Sequence, residues 1–272
     1  MTQPRLKNKT ATESALFSNS PSDEPQPLIQ HLIELRQRLI YSMIGFFGAF
    51  ILCYIYSEDI FNFLVEPLAT LLQDKGPRRL IYTGLTEAFL TYIKVAAFAA
   101  SFISFPIIAS QVWMFIAPGL YRKERKVFVP LLIATPILFI IGAAFAYYVI
   151  FPAAYAFFLS FETPGSTGQL PIQLEAKINE YLSFVMRLIF AFGMSFELPI
   201  LLTLLANVGM VTSQSLITKW RFAIVGIFIV AAIITPPDIL SMIGLAIPLI
   251  ILYGISILMV RLVEKRRLSY SH

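Results

Sequence analysis

Glu34 lies in the stretch HLIELRQRL and Glu124 in APGLYRKERK, so each carboxylate sits among arginines and lysines beside a long apolar run. Glu197 lies inside an apolar run of its own, FGMSFELPI. An acidic pair in an otherwise basic setting suits a cationic ligand. A charged side chain at the centre of a span costs about 2.5–3.5 kcal/mol on insertion scales, so Glu197 is expected to face a cavity or a partner. Catalytic chemistry is nearly excluded. His31 and His272 are the only histidines and His272 is the last residue, which leaves a Ser-His hydrolase nothing but His31 to work with. Neither a GxxxxGK(S/T) phosphate loop nor an HExxH zinc pair occurs, so no catalytic residue, metal or cofactor is expected, and energy for any work comes from elsewhere. Cys53 is the single cysteine and allows no intramolecular disulfide or thiolate metal site.

The elements that position these residues follow from composition. The chain is 57% hydrophobic and 14% charged, with a mean hydropathy of +0.75, whereas a soluble domain carries roughly 25% charge. It reads as an all-α polytopic membrane protein. Its net charge of +5 is spread over short loops without a basic stripe, so nucleic acid is not an expected partner. A span needs about 20 apolar residues to cross a core about 30 Å thick. Six spans are expected, near residues 39–56, 88–116, 128–151, 181–206, 222–234 and 239–260. Only Thr235–Asp238 (TPPD) separates the last two, giving a tight hairpin. The fifth reaches only about 20 Å, so this hairpin either thins the bilayer or is shielded by other protein.

Basic residues in the loops set an orientation. Arg5, Lys7, Lys9, Arg36 and Arg38 precede the first span, and Arg122, Lys123, Arg125 and Lys126 follow the second. Lys219 and Arg221 follow the fourth, and Arg261, Lys265, Arg266 and Arg267 follow the sixth. The remaining loops carry only Lys75, Arg78, Arg79 and Lys177. By the positive-inside rule both termini, Glu34 and Glu124 are cytoplasmic. Residues 1–26 read as a disordered cytoplasmic tail, 27–267 as a single six-span membrane domain and 268–272 as a cytoplasmic C-terminal tail. Pro27–Leu39 reads as an amphipathic helix on the inner leaflet, and Asp59–Leu72 as a short, kinked interfacial helix around Pro67. The loop Pro152–Glu180 is polar and acidic.

Each candidate also has a plain structural reading. Glu34 and Arg38 are spaced i,i+4, a surface pair worth a few tenths of a kcal/mol. Glu124 could be a solvated charge softening its basic cluster. Glu197 could be protonated and hydrogen-bonded to Ser195, Thr203 or another helix. Arg187 lies about 15 Å along the helix and about 280° around it from Glu197, so it is a poor direct partner. Pro199 should loosen the local backbone ladder. Asp238 suits a turn that caps the sixth helix, and Lys94 can snorkel.

From about Pro27 to Arg267 the chain resembles the TatC family, the six-span receptor subunits of the twin-arginine protein translocase. The residues that carry the resemblance are HLIELRQRL, EPL at 66–68, FIAPGLYRKERK at 115–126, SFELP at 195–199 and TPPD at 235–238, in family order. The resemblance implies a cytoplasmic site for the paired arginines of an export signal peptide, with Glu34 and Glu124 as acidic contacts. Guanidinium pairs bidentately with carboxylate in a way lysine cannot reproduce. Leu35, Arg36, Phe115, Pro118 and Arg125 belong to the same family patches and would shape that surface. Glu197 matches the family's buried glutamate, which would meet single-span TatA/TatB-type subunits or the inserted signal peptide. Pro67 and Asp238 match outer-side positions with a role in assembly. Further implied partners are other copies of the chain and membrane lipid. The implied setting is the bacterial inner membrane, with folded cargo exported on the proton-motive force and no covalent chemistry. A secondary transporter of a small cation, with Glu197 as its site and Arg187 as counter-charge, is the alternative. The six spans show no internal repeat or matched pair of broken helices to favour it.

Overall fold

The computed structural model describes residues 28–72, 79–116, 125–163, 170, 172–234 and 239–270. Contacts divide the chain into residues 1–37 and 38–272, and apart from the first ten residues of its first helix the architecture below belongs to the second part. The described residues form helices α1 (Leu28–Ile55), α2 (Ser57–Leu72), α3 (Glu87–Ile116) and α4 (Arg125–Phe145). A π-helical turn over Ala146–Ile150 joins α4 to α5 (Phe151–Leu159). Then come α6 (Ile178–Phe196), α7 (Leu198–Asn207), α8 (Ser213–Thr218), α9 (Trp220–Ile234) and α10 (Ile239–Tyr270). Among the described residues, five stretches are long and apolar enough to cross a membrane: Ile29–Ile55, Glu87–Phe115, Pro130–Leu159, Ile178–Asn207 and Met242–Lys265. The shorter apolar helix Trp220–Ile234 completes the polytopic all-α arrangement expected from the sequence.

Two boundaries differ from the sequence reading. The segment read as an amphipathic helix and the first span are one continuous helix, because no proline or glycine interrupts residues 28–44. The last helix runs past Val260 to Tyr270, through RLVEKRRLSY, which is rich in helix formers. From Arg38 onward α1 lies on α3. Ala49 and Cys53 pack with Ala96 and Ala100, a Cβ on Gly45 would stand 3.2 Å from Ile107, and the Arg38 guanidinium donates to Gln111 Oε1 at 3.3 Å. Many of the remaining side chains of α1 are exposed and apolar, as lipid contact requires.

The main core gathers Leu64 and Leu68 of α2, Val95 of α3, Tyr147 and Phe151 after α4, Val185 and Phe192 of α6, Ile227 of α9 and Leu245 of α10. Pro67 is inside α2 and has no N–H to give the carbonyl of Phe63 four residues earlier. That carbonyl instead accepts the Tyr147 hydroxyl at 2.6 Å, and the Leu64 carbonyl accepts the Tyr181 hydroxyl at 2.8 Å. Phe61 and Leu71 of the same helix also pack on the core, so the repeat Phe61, Leu64, Leu68, Leu71 faces protein.

Helices α4 and α6 approach most closely through two glycines. A Cβ on Gly142 would stand 2.6 Å from the Phe192 carbonyl oxygen, and one on Gly193 would stand 2.7 Å from the Phe139 ring. Each glycine thus receives an aromatic residue of the other helix. Near the other end of the spans, α8 is tied to α10: Glu264 accepts from the Ser213 N–H at 2.9 Å, and the Tyr253 hydroxyl donates to the Leu216 carbonyl at 2.9 Å.

Candidate functional site

Glu197 stands at a break in a span. It is at once the last cap of α6 and the first of α7, with φ −73° and ψ −15°. Pro199 causes the break: without an N–H it cannot bond the Ser195 carbonyl, and its ring crowds the preceding turn. The ladder tightens on one side, where the Glu197 N–H donates to Met194 O at 3.1 Å, and restarts on the other, where the Leu201 N–H donates to Glu197 O at 2.9 Å.

The glycine seam brings α4 alongside this break. Thr135, Phe139 and Gly142 recur at helical spacing on α4, opposite Glu197, Gly193 and Phe192. Both Glu197 carboxylate oxygens are buried and have no hydrogen-bond partner among the described residues. The Thr135 hydroxyl lies beside the carboxyl but is engaged elsewhere. It donates to the Leu131 carbonyl at 3.1 Å and accepts from Trp113 Nε1 at 3.0 Å.

Two expected neighbours are not partners of Glu197. The Ser195 hydroxyl donates to Ala191 O and the Thr203 hydroxyl to Pro199 O, each at 2.6 Å. In a span a hydroxyl satisfies itself most cheaply on the carbonyl one turn back, which removes both as donors to the carboxyl. Arg187 makes no ion pair with Glu197 among the described residues; it is exposed, and its Nε donates to Ser183 O at 3.3 Å. The paired site that a cation transporter would need is therefore not assembled there.

The other candidate residues fall on separate elements. Glu34 is half-buried on α1, and Leu35 and Arg36 are exposed on the same helix. Phe115 is half-buried at the penultimate residue of α3, and Arg125 opens α4. Pro67 is in α2, where its consequence is the bond from the Tyr147 hydroxyl to the Phe63 carbonyl. Glu124, Pro118 and Asp238 lie outside the described residues, as do the tail 1–26 and the TPPD turn. Sequence reasoning missed Thr135, Trp113 and the two seam glycines. The available signal was Thr135 and Gly142 sharing one face of an otherwise apolar helix.

Among the described residues, the fold is that of a polytopic helical membrane protein in which a span broken at Glu197 carries a buried carboxyl beside a glycine-packed neighbour. The family model described as Sec-independent protein translocase protein (TatC) matches residues 30–248. The chain belongs to the TatC family. It is 48% identical over 238 residues to the Sec-independent protein translocase protein TatC of Rickettsia prowazekii, covering 88% of this chain and 94% of that one. The protein of the same name from Magnetococcus marinus is 46% identical over 250 residues, covering 92% and 89%. The Escherichia coli K12 protein is 40% identical over 235 residues, covering 86% and 88%. A crystal structure of the twin-arginine translocase receptor TatC superposes with a TM-score of 0.73 at 35% identity, covering 86% of this chain and 99% of that chain.

Proposed function

We propose that this chain is the core receptor subunit of a twin-arginine translocase: it binds Arg-Arg signal peptides and nucleates assembly of the complex that exports folded proteins. As a TatC-family membrane protein it works with other Tat subunits and catalyses no covalent reaction. Glu34 and Glu124 take the two guanidiniums, each in a bidentate pair, and Leu35, Arg36, Phe115, Pro118 and Arg125 shape the docking surface. Both termini lie in the cytoplasm of a bacterial cell, since the basic loops concentrate on that side. After docking, the apolar part of the signal peptide enters beside the later spans. There Glu197 meets a single-span TatA/TatB-type helix or the peptide itself, and transport draws on the proton-motive force.

The observation that supports this reading most is that the family match spans all three glutamates, of which Glu197 offers a carboxyl with no hydrogen-bond partner among the described residues. A crosslinking probe at residue 34 or 124 tests it directly. An Arg-Arg signal peptide should be captured and its Lys-Lys version captured far less, because an ammonium is a point charge without the guanidinium fork. Equal capture of the two peptides would remove the proposed role of the acidic pair.

A further inference from the structure

A groove of about 750 Å³ opens between α6 and α9. Its walls include Ser183, Arg187 and Met194 from α6 and Val230, Ile233 and Ile234 from the last turn of α9. Arg187 is its one charged lining residue. Because its Nε donates to Ser183 O one turn back, the side chain bends toward the end of α6 that begins at Ile178. Its two Nη groups donate to nothing among the described residues. A guanidinium that keeps its Nη donors free in an apolar groove of a span calls for an anion from outside the chain.

The depth of the groove indicates which anion. Arg187 lies nine residues into α6, about 13 Å from its start along the helix axis. Helix α9 has 15 residues and reaches about 22 Å, short of a hydrocarbon core about 30 Å thick. Its end lines the same groove as Arg187, so lipid that meets this end brings its headgroup close to the guanidinium. A lipid phosphate arrives there already charged and at an interface. A carboxylate on a second helix would first have to be buried in hydrocarbon, at about 2.5–3.5 kcal/mol.

We propose that this groove is a binding site for one anionic phospholipid, with the phosphate held by the Arg187 Nη groups and an acyl chain laid along Met194, Val230 and Ile233. The site does not depend on the signal-peptide reading or on which terminus faces which compartment.

The test uses the full chain purified in detergent, offered phosphatidylglycerol or phosphatidylcholine, with bound lipid counted by native mass spectrometry. Wild-type protein should retain phosphatidylglycerol over phosphatidylcholine, and Arg187→Gln should lower that retention about tenfold, the equivalent of one lost charge-assisted contact. Arg187→Lys should fall between the two. Ile233→Trp, which fills the groove and keeps the charge, should lower retention as well. Unchanged thermal unfolding confirms that each variant is folded. Three results would overturn the proposal: equal retention by wild type and Arg187→Gln, full displacement of the lipid by millimolar inorganic phosphate, or a crosslink from residue 187 to an acidic single-span helix with lipid retention unchanged.

Discussion

Glu87 and Glu197 are the same side chain in opposite circumstances. Glu87 opens α3, and its Oε2 accepts from the Thr83 N–H at 2.8 Å and the Gly84 N–H at 3.1 Å, while its Oε1 accepts from the Asn179 N–H at 3.4 Å. Lys94 braces the same place by donating to Asn179 Oδ1 at 2.6 Å, so it is held by a named acceptor rather than snorkelling alone. The backbone joins in, with Ile81 donating to Ala176 O at 3.2 Å and Ile178 donating to Ile81 O at 2.9 Å. This carboxylate is spent on structure, stitching the segment before α3 to the start of α6. Glu197 receives nothing from the described residues, although hydroxyls stand on either side of it in sequence. A carboxyl that the fold has satisfied stabilises the fold; one that is buried without a partner among the described residues costs stability where it stands.

Substitutions can break this contrast. The largest effect is expected at the seam that delivers Glu197: Gly193→Val forces a side chain into the Phe139 ring, where a Cβ alone would stand 2.7 Å away. It should destabilise the protein by about 3 kcal/mol, through overpacking, read as a lower unfolding midpoint in detergent. Glu197→Leu should move stability the other way, by about 1 kcal/mol, since a buried polar group is removed that has no hydrogen bond among the described residues. The same variant should keep Arg-Arg peptide capture while recovery of single-span partners on copurification falls. If capture fails and copurification is normal, the two tasks have been assigned to the wrong glutamates. The smallest shift is expected at Glu87. Glu87→Ala should lower the unfolding midpoint by stranding the Thr83 and Gly84 N–H groups, and Glu87→Gln, which keeps an acceptor, should lower it less. A rise for Glu87→Ala would end the comparison.

The spans were legible because their signal is long and continuous. Even the exceptional shortness of α9 could be read from thirteen apolar residues between Phe222 and Ile234. Pro199 announced a weakened ladder, and the helix does break two residues earlier. Neighbours across helices were less legible. Ser195 and Thr203 are close to Glu197 in sequence, yet each bonds its own helix, whereas Thr135, on another helix, lies beside the carboxyl. Sequence spacing fixes which residues share a face, but which face meets which depends on close approaches such as Gly142 to Phe192. Glu87 was overlooked for the related reason that its donors are backbone N–H groups, which no sequence motif displays.

Pro67 ties the completion of one helix to events much later in synthesis. The Phe63 carbonyl waits for a hydroxyl 84 residues ahead, and the Leu64 carbonyl receives one 117 residues ahead. At roughly 5–20 residues per second, the ribosome reaches Tyr147 about 4–17 s after Phe63, so α2 emerges with an acceptor that its own sequence cannot satisfy. During that interval the unfinished carbonyl favours keeping α2 where water can reach it. The hydroxyl of Tyr147 then supplies the missing donor, so this turn of α2 is completed by a residue made after two further helices have begun.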